Sequence, residues 1–361
     1  MASSLYIHIP FCKGFCPYCD FPKAYYFEDQ ADAYLLSLFA EAKAKCHGPY
    51  RTIYFGGGTP TCLNLTQLES LLGFFAPYLA PNGEFSCEAN PDSLSEEKIA
   101  LLAQYGVNRV SLGVQSFSPK YLKLLGRHHD AEDVKRAVNS LREHGITNIN
   151  LDLMFALPAQ TVSEVQADVA KAIALKPTHI SAYSLILEEG TAFFARGVKE
   201  ASQDDQADQY EAVRAALEEA GYRRYEVSNF ALPGFECRHN LAYWHDEDYD
   251  AIGLGASGHD GKTRYKNTVN VPDYLKGKWK LEQETLSPKE EEECYLLSNL
   301  RLVDGFALSS YKARFGKDFI SEHQEAVESL MRRGLLETEA ETVRATPQGL
   351  MLLDTVLVDL Y

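Results

Sequence analysis

The stretch SLYIHIPFCKGFCPYCDFPK, residues 4–23, decides how the chain is read. Its first seven residues alternate and read as a buried strand. Cys12, Cys16 and Cys19 follow at once, in the spacing Cys-x3-Cys-x2-Cys. Three thiols cannot close a structural zinc site, which takes four ligands. His8 is a poor fourth ligand, because a strand residue facing a barrel interior reaches poorly toward the loop. A disulfide does not suit a reducing compartment. The set suits a [4Fe–4S] cluster held through three irons, since thiolates are the normal ligands of such clusters. The fourth iron then keeps an open position for an exchangeable ligand, and so for chemistry.

Outward from this stretch, short β-rich runs alternate with longer amphipathic ones. SLYIHIP (4–10) precedes a helical pattern over 29–46, RTIYFGGG (51–58) one over 66–75, and GEFSCEAN (83–90) one over 95–105. RVSLGVQS (109–116) precedes 131–144, NINLDLMFALP (148–158) precedes 161–175, and THISAYSL (178–185) precedes 204–220. Thr66, with Glu69 three residues on, is the expected cap of the second helix. Strict alternation predicts parallel strands buried on both faces, with helices outside. The fold class is therefore α/β, as an open doubly wound sheet or a partial (β/α)6 TIM-like barrel. Either places ligands at the C-terminal strand ends. Cys12 to Cys19, Gly56 to Thr59, Glu88, Gln115 and Asp152 all fall there.

Three regions are expected. Residues 1–220 form the barrel. Residues 221–285 are an aromatic- and Gly-rich linker region, with strands expected at 225–228 and 251–254. Residues 286–361 read as three helices, a β wing and a last helix, a small mostly helical winged-helix-like domain. Its Glu and Asp content favours packing or partner docking over DNA binding.

The net charge of −16 argues against nonspecific nucleic-acid binding and against electrostatic docking on anionic lipid. No basic stretch followed by an apolar run opens the chain, so a cytoplasmic protein is expected. Cys46, Cys62, Cys87 and Cys294 stand singly and read as small buried hydrophobes.

The signature CKGFCPYC, 12–19, is that of radical S-adenosylmethionine (radical SAM) proteins, and the chain resembles that family. The resemblance implies a radical SAM core in which SAM chelates the open iron through its amino and carboxylate groups. An electron from the cluster then splits the sulfonium. YFGGGTPT, 54–61, resembles the family's motif for the SAM amino group, which points to Gly57, Gly58 and Thr59. Glu88, Gln115, Asp152 and Arg127 resemble the ribose, carboxylate and methionyl contacts of the coproporphyrinogen III oxidase-like branch. Tyr6 matches that branch's tyrosine near the sulfonium, and Tyr18 the residue whose backbone faces adenine.

Within the branch, two features bear on function. True oxygen-independent coproporphyrinogen III oxidases carry a fourth cysteine two residues after the third, where this chain has Phe21. They also have a longer extension before the barrel. CRHNLAYW, 237–244, resembles the His-Asn-x-x-Tyr-Trp motif of the HemW-type heme chaperones. By that resemblance His239 offers an axial imidazole for heme iron, Cys237 a thiol, and Tyr243 and Trp244 flat faces for a porphyrin. His245 and His259 fit surface or turn roles.

The resemblance thus implies a radical SAM protein that binds heme and passes it to heme-acceptor proteins. The implied electron donor is one such as flavodoxin or ferredoxin, and any membrane contact is peripheral and made through partners. The alternatives are oxidative decarboxylation of coproporphyrinogen III and radical-driven heme ring opening.

Overall fold

The computed structural model describes residues 2–361. The six β-rich runs become β1 (Ser4–Ile9), β2 (Tyr50–Gly57), β3 (Leu79–Ala89), β4 (Arg109–Gln115), β5 (Asn148–Phe155) and β6 (His179–Ser184). Each pairs in parallel with the next. Helices α1 (Glu28–Lys45), α2 (Leu65–Phe75), α3 (Glu96–Gln104), α4 (Ala131–Glu143), α5 (Val162–Ala174) and α6 (Gln203–Glu219) return the chain between or after them. Ser95, Asp130, Thr161 and Ser202 cap four of these helices with their side chains. The cap of α2 is Asn64, not Thr66: Asn64 and Gln67 form a reciprocal capping box, and Thr66 lies within the first turn.

Strand alternation sorts the side chains. Leu5, Ile7, Ile9, Ile53 and Phe55 are fully buried under the helices. The strands are buried on both faces, as expected, but the inner face is polar, with His8, Thr52, Glu84, Ser86, Arg109, Ser111, Asn150 and His179 all buried. A polar interior buried in this way has to be satisfied by its own contacts or by a ligand.

The region after α6 extends the same sheet at both ends. At one end lie β7 (Arg223–Arg224) and β8 (Asn229–Ala231), at the other β9 (Tyr249–Ile252), β10 (Ser257–Asp260), β11 (Thr263–Asn267) and β12 (Lys280–Thr285). The order is β12-β11-β10-β9-β1-β2-β3-β4-β5-β6-β8-β7. Because β9 runs parallel to β1, the parallel set gains a seventh strand. The edge strands β12 and β7 do not meet among the described residues, so the barrel is partial. The strand expected at 225–228 is instead the turn between β7 and β8. There the buried Glu226 carboxylate accepts hydrogen bonds from Ser228 N–H (2.9 Å) and Asn229 Nδ2 (2.6 Å) and folds the chain back. Strand β9 starts two residues before the expected 251 and ends at Ile252, just before Gly253, whose φ is +99°. A Cβ at Gly253 would lie 2.5 Å from the His8 carbonyl oxygen.

The motif stretch forms a short helix, α7 (Arg238–Trp244). Beyond it come α8 (Pro288–Asn299), β13 (Phe306–Ala307), α9 (Leu308–Phe315), α10 (Gln324–Arg332), the hairpin β14 (Leu336–Glu339) and β15 (Thr342–Ala345), and α11 (Leu353–Leu360). The expected order of three helices, a wing and a helix gains two short helices, Phe319–Glu322 before α10 and Pro347–Met351 before α11. Tyr295, Leu296, Phe306, Tyr311, Phe319 and Val356 form a core of their own there. It meets the barrel at the C-terminal end of α7. Arg314 on α9 pairs with the buried Asp246 at 2.7 Å, and the Arg301 guanidinium lies 4.5 Å from the centre of the Trp244 ring. Asp246→Ala leaves Arg314 without its nearest carboxylate. Hydrogen exchange in α9 should accelerate about tenfold, while β1 to β6 keep their protection. Equal protection of α9 in both chains would show that the pair does not hold the two parts together. No helix among the described residues is long and apolar enough to cross a membrane.

Candidate cluster and nucleotide cavity

The cluster loop is pinned at its base. Phe11 and Cys12 pair in parallel with Ala24 and Tyr25, and Tyr26 N–H donates to Cys12 O at 2.9 Å. Between these points the chain makes a turn in which Cys19 N–H donates to Cys16 O at 3.3 Å. Lys23 Nζ reaches back to Cys19 O at 2.5 Å. Cys12, Cys16 and Cys19 are free thiols, half-buried, and all three line one cavity of 360 Å³ at the C-terminal ends of the strands. Burial, the largest effect, pushes the Cys12 thiol up to about 11. A bound cation reverses that logic.

The glycine loop is shaped by close approach. Gly57 has φ +116°, and a Cβ there would lie 2.7 Å from the His8 ring. A Cβ on Gly58 would lie 2.6 Å from Phe11 O and 2.8 Å from Pro10 C. Gly58 N–H donates to Ile9 O and Thr59 N–H to Phe11 O, each at 2.8 Å. The loop after β2 is thus laid directly on the segment that leads into Cys12. Gly57 N–H also donates to Glu88 Oε2 at 3.1 Å, and Tyr54 O–H donates to Glu88 Oε1 at 3.0 Å.

Burial, and then the like charge of Asp152, push the Glu88 carboxyl from 4.5 up to about 7. The folded chain therefore holds a proton that the unfolded chain releases between those values. This contribution is full below pH 4.5 and is lost as pH rises through about 7. Measured against Glu88→Gln by urea unfolding of the cluster-free chain, the parent should lose about 3 kcal/mol between pH 4.5 and 8. Parallel pH profiles for the two chains would contradict this.

Tyr18, Gly57, Gly58, Thr59, Glu88, Gln115, Arg127 and Asp152 all line the cavity with the three cysteines. Gln115, the last residue of β4, has φ +65° and sits at a register shift after Gly113. Arg127 Nη2 donates to Asn90 Oδ1 and to Gly113 O, each at 2.5 Å, and its Nη1 lies 3.6 Å from Cys16 Sγ. Asp152 accepts from Ser111 Oγ at 3.0 Å and Asn150 Nδ2 at 2.7 Å. Tyr6 does not line the cavity. Its ring stacks on Tyr54 at 6.2 Å, and its hydroxyl meets His8 Nδ1 at 3.0 Å, one layer deeper. Asn90, Ser111, Gly113, Asn150, Ser181 and Tyr183 also line the cavity and were not singled out from sequence. Alternation carries that signal: once Gln115 and Asp152 point inward, Gly113, Ser111 and Asn150 must do so as well.

The expected heme residues lie elsewhere. Helix α7 plugs the opposite, N-terminal end of the barrel. Glu84 caps it from β3, taking Arg238 N–H at 3.0 Å and His239 N–H at 3.1 Å, with Cys237 Sγ at 3.6 Å. Cys237 is fully buried and His239 is 1% exposed. His239 Nδ1 meets Thr52 Oγ1 at 2.7 Å and its Nε2 meets Tyr243 Oη at 2.7 Å. Burial, and then the charge of Arg109, pull its pKa down to about 3, so the ring is neutral. Trp244 is stacked with Arg301. In this packing Cys237 is a free but fully buried thiol, and Tyr243 and Trp244 are half-buried. Both ring nitrogens of His239 are engaged, and the aromatic groups close the barrel floor. His259, expected in a surface or turn role, is buried on β10 at 3.7 Å from Asp246.

The donor set fits an iron–sulfur cluster. Three thiols spread around a cavity mouth match a cube whose corners each take one thiolate. Among the described residues no three His, Cys, Asp or Glu side chains close on a single ion. The polar wall from Glu88 to Asp152 fits a nucleotide-like ligand beside the thiols.

Comparisons with known proteins agree. Residues 6–172 match the radical SAM superfamily, and residues 286–352 match the HemN C-terminal domain. The heme chaperone HemW of Lactococcus lactis subsp. lactis (strain IL1403) is 41% identical over 97% of this chain and 95% of that protein. Those of Bacillus subtilis (strain 168) and Escherichia coli (strain K12) are 38% and 34% identical, covering 97% and 98% of this chain and 96% and 97% of theirs. The fold matches coproporphyrinogen III oxidase (HemN) from Escherichia coli with a TM-score of 0.86 at 23% identity, over 99% of this chain and 89% of that one. The chain belongs to the radical SAM superfamily and, within it, to the HemW heme-chaperone family.

Proposed function

We propose that this chain is a cytoplasmic heme chaperone that carries a [4Fe–4S] cluster and SAM, binds heme as cargo and delivers it to acceptor proteins. The observation that carries the reading is relatedness across 97% of the chain to a protein named heme chaperone HemW. In this reading Cys12, Cys16 and Cys19 hold three irons and SAM takes the fourth. Bound together, cluster and SAM supply one-electron chemistry, with an electron donor such as flavodoxin or ferredoxin. The Gly57, Gly58 and Thr59 backbone receives the SAM amino group. Glu88, Gln115, Arg127 and Asp152 hold its ribose and methionyl polar groups, and the Tyr18 backbone faces adenine. Tyr6 acts from behind Tyr54. Heme ligation is assigned to none of the α7 residues, because Cys237 and His239 are closed off in the observed packing.

Phe21, 61% exposed at the cavity rim, stands where the oxidases place a fourth cysteine, and it favours the chaperone over the decarboxylase. The test is anaerobic reconstitution with iron and sulfide, followed by heme and, separately, coproporphyrinogen III with SAM and reductant. A Soret band on adding heme, with no turnover of coproporphyrinogen III, is the expected result. Turnover, or no heme uptake, would overturn the reading.

A further inference from the structure

We propose that His239 is a positioning residue for the SAM pocket, acting through Tyr54 on Glu88, rather than a ligand. The inference rests on the reading that SAM occupies the Glu88 cavity. The His239 ring is held at both nitrogens, by Thr52 on β2 and Tyr243 on its own helix, each at 2.7 Å. Its backbone N–H is held by Glu84. The imidazole therefore has one orientation. Its face lies parallel to Tyr54, with ring centres 5.0 Å apart and 24° between planes. Tyr6 stacks on Tyr54 in turn, at 27° between planes.

Tyr54 is the one member of this stack that lines the cavity. Its hydroxyl fixes Glu88 Oε1, while Gly57 N–H fixes Oε2. Glu88 is therefore aimed by one backbone group and one phenol, and the phenol is aimed by the histidine beneath it. A Tyr54 ring free to tilt would leave Glu88 with a single anchor next to Asp152, whose like charge acts on it. Preorganisation of a binding carboxylate by a supporting layer is worth about tenfold in affinity.

Three chains test this, each reconstituted anaerobically: His239→Ala, Tyr54→Phe and the double variant. The readouts are SAM affinity by equilibrium dialysis, iron content and the heme Soret band. His239→Ala and Tyr54→Phe should each weaken SAM binding about tenfold, with iron content kept. The double variant should be no weaker than Tyr54→Phe alone, because without the phenol the histidine has nothing to aim. His239→Gln, which keeps a polar contact to Tyr243, should recover part of the loss. A merely structural histidine would give additive losses and no such recovery. Should His239→Ala fail to fold, Thr52→Val and Tyr243→Phe each remove one anchor and should show the same loss in milder form.

Unchanged SAM affinity in folded His239 variants would overturn the proposal, as would additive losses. Glu88→Gln separates the two readings. If it leaves SAM affinity unchanged, the SAM site is misplaced. If it weakens SAM while His239→Ala does not, the site stands and the positioning role falls.

Discussion

A Gly58→Ala chain, reconstituted with iron and sulfide without oxygen, is expected to retain about a tenth or less of the parent's cluster. The cause is backbone sterics, not backbone conformation, since Gly58 is not among the glycines at positive φ. The added methyl carbon would sit 2.6 Å from Phe11 O and 2.8 Å from Pro10 C and O. These are main-chain atoms one and two residues before Cys12. They cannot swing aside, because Phe11 O also accepts from Thr59 N–H and from Cys62 Sγ. Relief comes only by moving the start of the cluster loop. Gly14→Ala is the control. It lies between Cys12 and Cys16, yet a Cβ there meets nothing within 4 Å. That chain should take up cluster like the parent. Equal uptake by both variants would mean that the contact between the glycine loop and the cysteine loop does not govern the site.

Glu84→Ala is expected to lower unfolding stability by about 3–5 kcal/mol, the range for stripping one partner from a buried charged network. Glu84 is 5% exposed and serves as the missing N-cap of α7, whose own cap residue, Cys237, makes no side-chain cap bond. Removing it orphans the buried N–H of His239 and the part-buried N–H of Arg238. It also removes a charge that acts on the fully buried Arg109, whose Nε already has no partner. Glu84→Gln keeps an acceptor oxygen and should lose less. Thermal unfolding of the three chains decides it. A Glu84→Ala chain within about 0.5 kcal/mol of the parent would mean that the plug is not held from β3.

Much of this was written in the sequence. The cysteine spacing, the six β-rich runs and the helix caps are local signals, and local signals survive in a single chain. Asn64 with Gln67 fits the cap pattern as well as Thr66 with Glu69, and only Gln67's return bond in the folded chain separates them. The seventh parallel strand was not legible as such. Tyr249 to Ile252 pairs with β1 across more than two hundred residues, and nothing local announces that partner. Of the polar inward positions on β4 and β5, only Gln115 and Asp152 stand out by motif, although the two-residue period points to Ser111, Gly113 and Asn150 as well. The surroundings of the His-Asn-x-x-Tyr-Trp stretch were the least legible from sequence. Aromatic and imidazole groups suit a porphyrin face and a polar barrel floor equally well, and only the fold shows which neighbours they meet. Here Thr52, Tyr54 and Glu84 are waiting for them.

The plug gives that motif two ends with different neighbours. One end underlies the Glu88 pocket. The other meets the C-terminal part through Trp244 with Arg301 and Asp246 with Arg314. A helix of seven residues thus touches both the wall of the Glu88 cavity and the domain that stands beside it.

The account stands on three thiolates holding a cube with one iron open to SAM. Iron and sulfide analysis with Mössbauer spectra of the reconstituted chain, before and after SAM, tests this directly. Four irons per chain are predicted. One of them should change its signal when SAM is added, and all should be lost from a chain lacking Cys12, Cys16 and Cys19. Four equivalent irons indifferent to SAM, or a cluster that survives without those cysteines, would contradict it.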